Sequence, residues 1–115
     1  MSLRDRLRAG SFAVTAEISP PRGASTDPVA ATAALLRDWV DAVNVTDNQG
    51  SNVRLASWAG SLAALQAGLE PVMQMTCRDR NRIALQSDLL GASALGIRNI
   101  LVMTGDHPKF GDHPE

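Results

Sequence analysis

The sequence predicts a parallel α/β chain: four strands alternating with three helices, in the order βαβαβαβ after a short N-terminal helix, which is half of a TIM-type (β/α)8 barrel. Three observations carry this. Short apolar runs rich in β-branched residues alternate with longer stretches whose apolar residues recur at helical spacing. Threonines end three of the runs, and Thr46, Thr76 and Thr104 recur about every 30 residues, the length of one strand and helix unit. Polar and reactive residues gather directly after each strand, where parallel α/β proteins meet their ligands.

A small doubly wound sheet is the competing architecture. Even spacing of the units, polar residues after every strand and the lack of a GxGxxG fingerprint after the first strand favour the half barrel. A whole barrel takes ~250 residues, so a chain of 115 amounts to about half of one. Its first and fourth strands would be open edges, which invite self-association.

Ser2 can cap a short basic helix, Leu3 to Ala9, closed by Gly10 and laid over the bottom of the sheet. Phe12 to Ser19 is the first strand, stopped by Pro20-Pro21-Arg22-Gly23. Asp27-Pro28 is a cap followed by proline in the first turn, and Val29, Ala33, Leu36 and Val40 place a helix over Pro28 to about Val40. The second strand, Ala42 to Thr46, breaks at Asp47-Asn48-Gln49-Gly50, residues that favour turns. Leu55, Trp58, Leu62 and Leu65 mark the next amphipathic helix, ended by Gly68. Pro71 opens the third strand, which runs to Thr76. A polar turn, Cys77 to Arg80, leads into a helix carrying Leu85, Leu89 and Ala92 on one face and ending before Gly96, and Asn99 to Met103 is the fourth strand.

A hydrophobic content of 44% suffices for one packed core. With 11 basic and 12 acidic residues and no segment dominated by one sign, neither nucleic acid nor an anionic membrane is an expected partner. No apolar run approaches the ~20 residues of a membrane span, and the N-terminus is charged where a signal peptide would be apolar, so the expected location is cytoplasmic. The lone Cys77 cannot form an internal disulfide, in keeping with a reducing compartment. Trp39 and Trp58 fall at apolar helix positions and read as core packing.

Glu17 stands in an apolar strand near its carboxyl end. A buried carboxyl keeps its proton near neutral pH, as a general acid requires, whereas a solvent-facing one does not, and the sequence leaves both open. Asp106, after Gly105, can hydrogen-bond ring N–H groups of a ligand or simply close an Asx-type turn. Asn44, Thr46 and Gln74 are polar residues in apolar strands; buried, each needs a partner, and a ligand could be that partner. Arg78, Asp79, Arg80 and Arg82 crowd the start of the last helix, with Asp79 as a candidate cap and the arginines able to reach a phosphate or carboxylate, or else only solvent. The duplicated Gly-Asp-His-Pro supplies Asp106, His107, Asp112 and His113, suited to a divalent metal but at no standard ligand spacing. Cys77 has no histidine near it in sequence, which disfavours a nucleophile.

The segments Val14 to Pro21, Val43 to Asn48, Thr76 to Asn81, Gly96 to Leu101 and Thr104-Gly105-Asp106 together resemble methylenetetrahydrofolate reductase, in order and spacing, over nearly the whole chain from Phe12. The resemblance implies an eight-stranded barrel holding FAD at the carboxyl ends of its strands, of which this chain, taken as one partial domain over residues 1–115, is the N-terminal half. It implies NADH or NADPH as hydride donor, folate as substrate, and reduction of 5,10-methylenetetrahydrofolate to 5-methyltetrahydrofolate, a step of one-carbon metabolism toward methionine. Glu17 then matches the general acid that opens the five-membered ring of the folate, and Asp106 the carboxylate beside flavin and pterin. Thr46 and Gln74 match flavin-contacting positions, although many relatives carry histidine in place of Gln74. The Thr-Cys-Arg-Asp-Arg-Asn form resembles a bacterial subgroup, some of whose members work with partner proteins or are fused to a homocysteine methyltransferase. The later strands of the family's barrel are absent, so little activity is expected of these 115 residues alone. Two other readings stand beside it: a non-catalytic half barrel that forms a homo-oligomer or completes another chain, and a metal-dependent barrel built on the two Gly-Asp-His-Pro turns.

Overall fold

The computed structural model describes residues 1–115. Helix α1 (Leu3–Arg8) starts where the Ser2 Oγ accepts the Asp5 N–H at 3.1 Å, and Gly10, at φ +72°, turns the chain away. It closes the amino end of the sheet. The Leu3 N–H donates to Glu70 Oε2 at 2.6 Å, and Arg6 pairs with Asp41 at 3.0 Å, both partners standing just ahead of a strand.

Strand β1 (Thr15–Ile18) is shorter than the Phe12 to Ser19 span that its composition predicts. It has a neighbour on one side only, and the ladder begins at Thr15 opposite Ala42. Helix α2 (Asp27–Leu36) takes Asp27 as its first residue, with Thr26 at the cap position in place of the expected Asp27, and ends four residues before Val40, because the Leu36 carbonyl accepts from both Trp39 and Val40 in a tightened turn. Strand β2 (Ala42–Val45), helix α3 (Ser57–Gln66), strand β3 (Pro71–Thr76), helix α4 (Arg82–Ala94) and strand β4 (Asn99–Met103) follow. Asn81 caps α4, its Oδ1 accepting the Ala84 N–H at 2.9 Å; the expected cap, Asp79, pairs with Arg78 instead.

All strands are parallel in the order β1-β2-β3-β4. That order never reverses, so there is no switch point of the doubly wound kind, and the sheet is consistent with half of a (β/α) barrel. Ile18, Val45, Met73 and Ile100 share one row of the register and pack under the helices. The alternate row therefore faces the other way, into what would be the barrel interior.

Helix α3 buries Ser57, Gly60, Ser61, Ala63 and Ala64, not the stripe of Leu55, Trp58, Leu62 and Leu65 that its periodicity suggests. The reason is close approach: a Cβ on Gly60 would stand 2.9 Å from Val45 Cγ1, leaving no room there for larger side chains. Trp58, 42% exposed, lines a groove between α3 and α4, and Trp39 lies 80% exposed beyond the end of α2. Neither tryptophan is core, contrary to the sequence expectation. Strand β4 leaves Val102 80% exposed on the helix-side face, where a following helix would cover it in a barrel. No helix is long and apolar enough to cross a membrane.

Candidate active site at the carboxyl ends of the strands

Register places Glu17 level with Asn44 on β2, and Asn44 level with Val72 on β3. One step further along the same face stand Thr46, Gln74 and Leu101. These side chains line the side turned away from the helices. Glu17 is exposed there, so these four strands do not supply the burial on which an acid role would depend. Thr46 is buried, and Gln74 is only 9% exposed.

The tops of the strands are tied by short polar contacts. Thr46 Oγ1 donates to Gln49 Oε1 at 2.7 Å, and Gln49 Nε2 donates to Ser19 Oγ at 3.0 Å, so one side chain spans β1 and β2. Ser19 lies two residues beyond Glu17 on the same strand path. The next residue, Gly50, donates its N–H to Asp106 Oδ2 at 2.7 Å. Asp106 thus grips the loop after β2 instead of closing a local Asx turn, and it meets Thr46 through Gln49 and Gly50. Gln74 behaves differently. Its backbone carbonyl accepts from Ser57 Oγ at 2.8 Å, while its carboxamide is bonded to nothing in the chain. The hydroxyl of Thr76, at the end of the same strand, is buried without a partner.

Two residues central to this geometry do not do what the sequence suggests. Asp47, read as part of a turn, has a fully buried side chain that accepts the Thr76 N–H at 2.8 Å and both Arg80 Nη atoms at 2.6 and 3.1 Å. Arg80 also donates to the Thr76 carbonyl and to Asp88, stapling β2, β3 and α4 together. The hydrogen bond with Asp47 holds the Arg80 guanidinium protonated above its usual range, against a smaller opposing effect of burial. The second is Arg78, whose side chain is 7% exposed and donates into the loops after β2 and β4. An acid one residue past a buried strand, with arginines one unit later, is the pattern that announces such a staple. Both arginines are engaged by the chain itself, so neither stands free as the anion receptor that the cluster suggested.

The two Gly-Asp-His-Pro turns do not converge on a metal. His107 Nδ1 accepts the Lys109 N–H, and no group of three His, Cys, Asp or Glu side chains is arranged to hold an ion. The four residues are thus not gathered into the ligand set that the metal-dependent reading needs. Asp112 acts as a tie: it accepts from the Val53 N–H at 2.7 Å and from Arg22 Nη2 at 3.0 and 3.1 Å, while its own N–H donates to the Ser51 carbonyl. The Val53 bond first, and Arg22 second, hold its carboxyl below the ordinary range. A carboxyl lowered on folding contributes above its unfolded value, and that contribution is lost as pH falls through the lowered one. Protection of the Val53 amide should accordingly persist through mildly acidic pH and fail only below the ordinary aspartate range. In Asp112→Ala it should be weak at every pH, as amide exchange followed by NMR would read.

A scan against protein-family models matches residues 2–115 to Methylenetetrahydrofolate reductase. The chain belongs to that family. Members of the reductase family are oxidoreductases acting on folate and are generally flavin-dependent, and the polar face described here lies where (β/α) barrels of any chemistry keep their sites. A search of the curated proteins found no match to the chain. Methylenetetrahydrofolate reductase-like chemistry is thus supported for the family domain as a whole.

Proposed function

We propose that this chain forms one wall of a flavin-dependent reductase that uses NADH or NADPH to convert 5,10-methylenetetrahydrofolate to 5-methyltetrahydrofolate. One observation supports it most: at the carboxyl ends of the strands, in a chain of this family, polar groups are left with hydrogen-bonding capacity that the fold does not use. The Gln74 carboxamide and Asp106 Oδ1 make no bond within the chain, and Gly105, at φ +87°, brings bare backbone to the same rim. A free carboxylate oxygen and a free carboxamide fit the edge of FAD, with its ring N–H and carbonyl groups. Bound there, the flavin supplies hydride transfer, which no side chain can perform.

In this reading Gln74 and Thr46 hold the cofactor's edge and Asp106 orients the folate beside it. Glu17 donates the proton that opens the folate's five-membered ring. Further strands would close the site around Glu17, which stands exposed on these four strands. Four strands leave the cup open on one side, so turnover by these 115 residues alone should be slight. A second reading, a non-catalytic half barrel that pairs with a copy of itself or with another chain, is favoured by the open β1 and β4 edges and the exposed Val102.

Visible absorption of the purified chain, taken after addition of FAD and removal of the excess, separates them. Retained flavin at near one per chain supports the reductase reading. A folded far-ultraviolet signal and a stable dimer by sedimentation, with no flavin retained, would favour the second.

A further inference from the structure

We propose that Arg78 is the positioning residue that aims the Asp106 carboxylate. This rests on the reading of Asp106 as the group beside substrate and cofactor, although the geometry itself needs no ligand.

The Arg78 guanidinium reaches three loops at once. Its Nη1 donates to the Asp106 carbonyl at 3.0 Å, its Nη2 to the Asn48 carbonyl at 3.2 Å, and its Nε to Asp79 Oδ2 at 2.9 Å on its own loop. It lies close against Gly105, where a Cβ would stand 2.9 Å from Nη1. Asp106 in turn grips the Gly50 N–H through Oδ2. The contacts close a ring: Arg78 to the Asp106 carbonyl, the Asp106 carboxylate to Gly50, and the backbone from Gly50 to Asn48, whose carbonyl returns to Arg78.

Two features make this ring more than a loop fastening. The segment it holds is conformationally unfavourable: Asn48 (φ +49°), Gly50 (φ +67°) and Ser51 (φ +60°) all lie in the left-handed region, a cost for the two that are not glycine. The ring holds Asn48 and Gly50, with the Arg54 N–H on Asn48 Oδ1 as a further tie, while the Asp112 N–H holds the Ser51 carbonyl. The ring's effect on Asp106 is also selective. Carbonyl and Oδ2 are both occupied, which fixes the direction of the carboxylate and leaves Oδ1 as the oxygen presented to the rim. The planar fork of arginine suits carbonyls on separate loops, whereas the compact ammonium of lysine cannot span them at the same distances. Asp79 is the exposed member, and its bond orients the fork.

The experiment compares the isotopically labelled 115-residue chain as wild type, Arg78→Gln and Arg78→Lys, reading hydrogen exchange and amide proton shifts by NMR. Gly50 should show the downfield proton of an N–H bonded to a carboxylate. In Arg78→Gln it should exchange about tenfold faster or more and move upfield, while Val43 and Met75, inside the sheet, keep their protection; Arg78→Lys should fall between. A Gly50 amide unchanged in Arg78→Gln overturns the proposal. So does loss of sheet protection together with Gly50 in both variants, which would make Arg78 a folding residue only. FAD titration of the wild-type chain is read separately: failure to bind counts against the function proposed above, and the exchange result still decides the role of Arg78.

Discussion

If the proposed reduction is right, Glu17→Gln, placed in an eight-stranded member of the family, should reduce folate about 10²–10⁴-fold more slowly, the usual contribution of a positioned general acid. Flavin content and flavin reduction by the nicotinamide should stay near wild type. The placement of Glu17 underlies this. It stands on β1, in the interior-facing row, level with Asn44 and two residues short of the Ser19 that anchors Gln49. It makes no hydrogen bond that the fold depends on, so an isosteric amide should leave the strand tops intact while removing the carboxyl group that would donate the proton. Stopped-flow absorbance separates the half-reactions. Folate turnover within a few-fold of wild type would show that the proton comes from elsewhere.

The second large effect is on stability. Arg80→Leu should cost about 3–5 kcal/mol, because it leaves the fully buried Asp47 carboxylate without its charged partner. Against a total of roughly 5–15 kcal/mol for a domain, that shifts a urea midpoint plainly. Asp47→Ala should be comparably damaging, since the Thr76 N–H loses its acceptor as well. The double variant, Asp47→Leu with Arg80→Leu, should be less destabilised than the two single costs added together, since no charge is stranded. Sign matters for pH: the Arg80 pKa is raised on folding, so its contribution is complete below the ordinary arginine range and would be lost only as pH rises through the raised value. The gap between wild type and Arg80→Leu should therefore hold constant from about pH 7 to about pH 10. A gap under about 1 kcal/mol would place the pair among weak surface bridges instead.

Much of the architecture was legible along the chain. β4 runs from Asn99 to Met103, as its apolar run indicates, and Gly10, Gly68 and Gly96 each mark the end of a helix with a positive φ. Local backbone preferences and a near-30-residue period act within one unit, so they survive without knowledge of the rest. Where length or face depended on a neighbour, the reading slipped. β1 is trimmed because it pairs on one side, and α3 turns its small residues inward because Val45 and Pro20 stand too close for Trp58 or the leucines.

The site divides in the same way. That Glu17, Thr46, Gln74 and Asp106 stand along one rim could be read from their positions after or within strands, because in a parallel sheet the carboxyl ends all point the same way. What each does there was decided only in three dimensions. Nothing in the order of residues tells that Asp106 bonds Gly50, that Asp112 spends itself on Val53 and Arg22 instead of a metal, or that Asp47 meets Arg80 across two strands. Periodicity and composition act over a few residues and set the elements and the rim on which the polar groups collect. Hydrogen-bond partners and burial depend on distances between segments 30 to 90 positions apart, and those exist only once the sheet has formed.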